Sequence, residues 1–142
     1  MLKLNLPWPP SMNGYWRSVN IGQRKATLLS KRGRIYKREV KLVMLSVNRH
    51  AFTEDDRLRV YVEAHPPTRR KCDLDNYLKP LLDAIFCEDG VDVDDSQIDD
   101  LRIVRREIIP EGLMLVEISE AVGMGGVEVE NTIAGFLGAS EA

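Results

Sequence analysis

A chain of 142 residues that is 44% hydrophobic is the size of one domain and has enough apolar side chains to bury a core. It holds no run of about 18 apolar residues to span a bilayer, and "MLKLNLPWPP" lacks the apolar stretch and cleavage site of a secretory signal, so the chain reads as cytoplasmic and not membrane-bound. The formal net charge of −2 averages two opposed halves: residues 1–50 carry eleven Lys/Arg and one acid, residues 51–72 five and four, and residues 73–142 four and seventeen.

A basic half suits a polyanion and an acidic cluster suits a cation, and an enzyme acting on a polyanion through a metal would use both. Mutual neutralisation on the folded surface is the plainer alternative. Cys72 and Cys87 form no CxxC pair and read as free thiols of a reducing compartment.

In chain order, "LKLNLPWPP" alternates apolar and polar residues until its prolines, predicting a short strand that stops near Pro7. "SMNGYWRSVNIGQRK", residues 11–25, is turn-rich and basic and reads as an ordered surface loop. Ser30 is positioned to cap a helix over about 31–49, with Ile35, Val40, Val43, Met44 and Val47 on one face and Lys31, Arg32, Arg34, Lys37, Arg38 and Lys41 as a solvent-facing stripe.

"RLRVYVEAHPP" alternates and predicts a strand over 57–65. From Leu74, apolar residues at helical spacing predict a helix to about Cys87, with Pro80 either near its first turn or at a kink. "EDGVDVDDSQIDD" reads as an acidic loop or short strand, and the two alternating runs around "PEG" predict a closing hairpin over about 101–119. The expected fold is therefore a mixed α/β (α+β) domain over 1–120. It has a small mixed sheet, two main helices and the order β-α-β-α-β-β, followed by a glycine-rich acidic tail at 121–142.

The chemistry concentrates in carboxylates. Asp73 and Asp75 lie two apart, so on an extended segment both face one way, and their repulsion is relieved by a cation: a divalent metal, or Arg69, Arg70 and Lys71 just before them. Lys79 and Asp83 follow Asp75 at spacings of four, on one helical face, which ordinary surface ion pairs would also explain. Asp94 and Asp95 form a second cluster beyond Gly90. An EF-hand loop from Asp92 fails, because Gln97 and Ile103 occupy the positions that need Gly and Glu. His50 and His65 have no zinc-ligand spacing with the cysteines, and no GxSxG, P-loop or GxGxxG motif is present.

"DLDNYLKPLLDAI", then "VDDSQI", together with "LPWPPSMNGYWR", resembles the RusA family of Holliday junction resolvases over roughly residues 3–119. The resemblance implies a homodimer that binds four-way DNA junctions and makes paired, Mg²⁺-dependent cuts, with Mn²⁺ able to substitute. It also implies Asp73, Asp75 and Asp95 as metal-binding catalytic residues and Lys79 as an essential lysine; Asp94 is the near alternative to Asp95. Arg69, Arg70 and Lys71 are expected on phosphates, and Asn13, Tyr15, Trp16 and Arg17 on DNA through stacking and charge, with loop packing the alternative for the two aromatics. Cys72 stands where the family often has a basic residue. Rival readings are a related nuclease of flaps, forks or phage replication intermediates, a catalytically silent junction-binding protein, and an acidic protein-interaction module.

Overall fold

The computed structural model describes residues 1–121. The tail expected at 121–142 lies, apart from Ala121, outside the described residues. Three strands follow the period-two logic closely. β1 (Leu2–Leu6) buries Leu2, Leu4 and Leu6, β4 (Leu58–His65) buries Leu58, Val60, Val62 and Ala64, and β6 (Leu113–Glu120) buries Met114, Val116 and Ile118. These residues form one apolar face of a four-stranded sheet in the order β1-β6-β4-β5, with β5 spanning Ile98–Arg105. Each fully buried Leu, Ile or Val there removes apolar surface worth about 1.5–3 kcal/mol.

The expected closing hairpin does not form. β5 pairs with β4 in parallel and β6 pairs with β4 antiparallel, so β4 lies between the two strands that flank "PEG". The helix between β4 and β5 is the cause: a strand reached through a helical crossover returns parallel to the one it left. The tight turn at Pro110–Gly112 is present, closed by Gly112 N–H donating to the Ile109 carbonyl at 2.8 Å. The chain approaching it wraps past the end of β4, where Arg106 N–H donates to Ala64 and Ile109 N–H to Pro66. β5 is left as an edge strand and carries Asp99, Asp100, Arg102 and Arg105, charges that discourage further pairing.

The segment expected as a surface loop is structured. A one-turn helix α1 (Met12–Tyr15) is capped by Ser11, and β2 (Trp16–Ile21) and β3 (Arg24–Leu29) then form a separate antiparallel hairpin. Its two-residue loop begins with Gly22 at φ 63°, a conformation glycine adopts without a steric penalty. Both faces of this hairpin are largely exposed, which is why no apolar alternation marked it. The element order is thus richer than β-α-β-α-β-β by α1 and by this hairpin.

α2 (Lys31–Met44) starts where Ser30 predicts it, with the Ser30 hydroxyl accepting from Gly33 N–H at 3.0 Å, and buries Tyr36, Val40 and Met44. It ends about a turn earlier than expected. α3 (Asp75–Ile85) buries Pro80, Leu81, Ala84 and Ile85. Pro80 sits beyond the first turn, inside a helix that runs on past it; the ring fills a core position, while the Asn76 carbonyl loses the amide that would have faced it.

Candidate functional site

One face of α3 carries Asp75, Leu78, Lys79, Leu82 and Asp83, the i, i+3, i+4, i+7, i+8 positions that a helix brings into line. These five side chains, with Met12 of α1 and Asp95 from the loop before β5, line an open cleft of about 480 Å³. The cleft is acidic on two sides and apolar between them, and Lys79 is the cation on its wall.

Asp73 is not among the cleft's lining residues. It is exposed and lies in the irregular segment ahead of α3, where its backbone carbonyl accepts from Asn76 N–H at 3.1 Å. The expectation that Asp73 and Asp75 share a face assumes an extended segment, but Leu74 between them has φ −59° and ψ −39°, so the helical bend has already begun. Among the described residues no three carboxylate, histidine or cysteine side chains converge tightly enough to form a ready metal cage.

Asp94 and Asp95 have different environments. Asp94 caps a short 3-10 turn (Asp95–Gln97): its carboxylate accepts from Ser96 N–H at 2.8 Å, and Gln97 Oε1 accepts from Asp94 N–H at 3.1 Å. Gln97 is buried and its amide donates to the carbonyls of Thr53 and Asp56, which ties this turn to the loop before β4. The Ser96 hydrogen bonds hold the Asp94 carboxyl below the ordinary carboxylate range. Partial burial, then the hydrogen bond and charge of Asp94 and the charge of Asp83, push Asp95 upward. Asp95 faces the acidic cleft, whereas Asp94 lines a different one beside Phe86 and Gln97.

Asp83 is the member that sequence reasoning undervalued. Its Oδ2 accepts from the Tyr15 hydroxyl at 2.5 Å and lies 3.5 Å from Lys37 Nζ. Lys37, expected in a solvent-facing stripe, is therefore turned onto this carboxylate, and Lys41 reaches Asp89 at 3.6 Å in the same way. Burial and the Asp83 hydrogen bond raise the Tyr15 pKa well above that of an ordinary phenol. The i+8 spacing from Asp75 was the visible signal for Asp83; nothing local in the sequence pointed to Tyr15.

The two N-terminal aromatics differ in exposure. Tyr15 is wholly buried in the core; its backbone carbonyl accepts from Ser30 N–H and its hydroxyl donates to Asp83. Trp16 is half-buried, edge-on to Tyr15 with ring centres 4.4 Å apart. Asn13 and Arg17 are exposed, as are Arg69, Arg70 and Lys71 in the segment leading to α3. That segment is anchored by Arg105 of β5, which donates to the Cys72 carbonyl at 2.7 Å.

The arrangement, a lysine and three aspartates in one cleft with a basic segment shortly before it in the chain, is suited to phosphodiester chemistry. The family model described as "Endodeoxyribonuclease RusA" matches residues 7–118, and the chain belongs to that family. Among its relatives, the "Crossover junction endodeoxyribonuclease rusA" of Enterobacteria phage HK97 is 37% identical over 115 residues, 81% of this chain and 91% of the relative. The proteins of the same name from Escherichia coli (strain K12) and Enterobacteria phage 82 are each 33% identical over 121 residues, 82% of this chain and 92% of theirs. No helix among the described residues is long and apolar enough to cross a membrane.

Proposed function

We propose that this chain is a Mg²⁺-dependent endodeoxyribonuclease that resolves four-way DNA junctions by paired, symmetric phosphodiester hydrolysis, as a homodimer. The observation that carries the reading is the common cleft lined by Asp75, Lys79 and Asp95, at the start of a helix that the exposed basic residues 69–71 precede in the chain. The names of the relatives point to the same substrate.

The donors fit a hard divalent ion. They are carboxylate oxygens, and Mg²⁺ commonly takes only one or two of them beside waters and a substrate phosphate; Mn²⁺ accepts the same donors. Asp75 and Asp95 would hold it, with Asp73 contributing from the segment before α3. When bound, such an ion lowers the pKa of a water and neutralises charge on phosphate oxygens.

The protein's own part is positioning and charge. Lys79, one helical turn after Asp75, offsets negative charge that grows on the phosphate or leaving oxygen. Met12, Leu78 and Leu82 make an apolar wall beside Lys79, against which a bound strand would exclude water and strengthen the field of that lysine. Arg69, Arg70 and Lys71 hold flanking phosphates, which positions the strand without reading its sequence. Two cuts at symmetric positions call for two such sites related by a dyad, which is the reason for the homodimer.

The test is cleavage of an end-labelled synthetic four-way junction with and without Mg²⁺, with the cuts mapped on all four strands. Paired symmetric incisions that need the ion, and are lost in Asp75→Asn, are expected. Preferential cutting of flaps or forks, or tight binding with no cutting, overturns the reading. Wild-type cleavage by Asp73→Asn removes Asp73 from the ligand set and leaves a two-carboxylate site.

A further inference from the structure

A second cleft, about 560 Å³, is lined in part by the basic segment and differs in character from the acidic one. Its walls include Trp8, Tyr77, Pro66, Pro67, Arg70 and Lys71, with Arg32 of α2 at its edge. The size falls within the range of about 300–1,000 Å³ typical of small-molecule sites, enough for one nucleotide and far too small for a duplex.

Its aromatic corner is closely packed. The Trp8 and Tyr77 rings lie with centres 4.9 Å apart at an interplanar angle of 50°. Behind Trp8 is Gly112, at φ 80°, where an added Cβ would come within 2.6 Å of the tryptophan Cβ. The bare backbone at 112 thus makes the space in which Trp8 is seated, and a platform held in place before binding loses little entropy when a base stacks on it. Arg70 and Lys71 supply positive charge on the same wall, within the segment that continues into Asp75 and the acidic cleft.

We propose that this cleft receives one unpaired nucleotide of the DNA substrate, its base against Trp8 and Tyr77 and its phosphate toward Arg70 and Lys71. The proposal rests on the reading of the chain as a branched-DNA nuclease and adds how the branch point is recognised. A base inside a duplex arm has both faces covered by its neighbours and cannot enter. A base at a crossover, where stacking is broken, has a face to offer, so the cleft discriminates a branch from an arm. Both clefts draw lining residues from the segment 68–79, so a strand that follows this segment passes both.

The experiment uses the wild-type protein on a four-way junction carrying 5-iodouracil either at the branch or deep in an arm, irradiated with Ca²⁺ in place of Mg²⁺. Mass spectrometry is expected to find the crosslink from the branch position on peptides containing Trp8 or Tyr77, and none there from the arm position. In parallel, Tyr77→Leu should lower affinity for the junction on the order of tenfold, with affinity for unbranched duplex unchanged and Trp8→Phe near wild type. Crosslinks only at other residues, or an equal loss on both DNAs, overturn the proposal. A wild-type protein that cuts junctions while crosslinking elsewhere removes this cleft alone; one that neither binds nor cuts them removes the nuclease reading with it.

Discussion

The Tyr15 hydroxyl donates to Asp83 Oδ2 at 2.5 Å, joining residues 68 positions apart and bringing the basic N-terminal part of the chain onto the wall of the acidic cleft. Lys37 adds a cationic contact to the same oxygen. Asp83 therefore has its orientation set from outside α3.

Tyr15→Phe removes that hydrogen bond while keeping the ring in the core. The expected cost is about 1 kcal/mol of stability, measured by urea denaturation. Cleavage should also fall, because Asp83 loses its orientation; a variant with unchanged stability and unchanged cleavage would show that the contact does neither.

Tyr15 and Tyr36 predict an alkaline limit to stability. Burial is the largest cause of the upward shift in both, and the Tyr36 hydroxyl donates to the Pro7 carbonyl at 2.8 Å. A folded-state pKa raised above the unfolded value means that the stabilisation is complete below about pH 10, where the unfolded phenol is still protonated, and is lost as pH rises beyond it. Urea midpoints taken from about pH 8 to about pH 11, a range that brackets the free phenol, should fall more steeply for wild type than for Tyr36→Phe.

The neighbours Asp94 and Asp95 should separate cleanly. Asp94→Ala removes a cap and should cost about 1 kcal/mol, while Asp94→Asn, which still caps, should be close to wild type in both stability and cleavage. Asp95→Asn should keep the fold and lose most cleavage. Unfolding curves and junction cleavage on the same preparations check all three.

Lys79→Ala should reduce the cleavage rate by roughly 10²–10³-fold if its charge acts on the reacting phosphate. Binding to the junction should change little, since one exposed lysine among many contributes little to the total electrostatic attraction. Single-turnover rates set against affinities measured in Ca²⁺ distinguish the two, and a matching loss in both would make Lys79 a binding residue only.

Arg70→Ala and Lys71→Ala should each weaken DNA binding and lower the slope of log affinity against log salt by about one, as expected for one lost phosphate contact. Titrations at several salt concentrations measure this directly. An unchanged slope would place these side chains away from the DNA backbone.

The sequence was most legible where one face of an element is buried. Leu2, Leu4 and Leu6, or Leu58, Val60 and Val62, announce strands because alternate residues must leave water, and Ser30 announces a helix through its hydroxyl. The β2–β3 hairpin was illegible because both its faces meet solvent, although the Gly22 turn was a usable signal. Strand pairing was misread at "PEG" because adjacency in the chain is outweighed by the α3 crossover, which delivers β5 to the far side of β4. In the site, Asp75, Lys79 and Asp83 follow from helical spacing, whereas the Tyr15–Asp83 and Trp8–Tyr77 contacts join distant segments that no local period relates.

The position of β6 carries a consequence for the birth of the protein. The last of the described strands to be synthesised lies inside the sheet, between β1, the first, and β4. While the ribosome is still translating residues 113–120, β1 has no strand beside it and one edge of β4 stays open to any other extended chain. The cleft walls, drawn from residues 12 to 95, thus rest on a sheet that closes only at the end of the domain, and a nascent chain carries its full set of aspartates before it has the support to aim them.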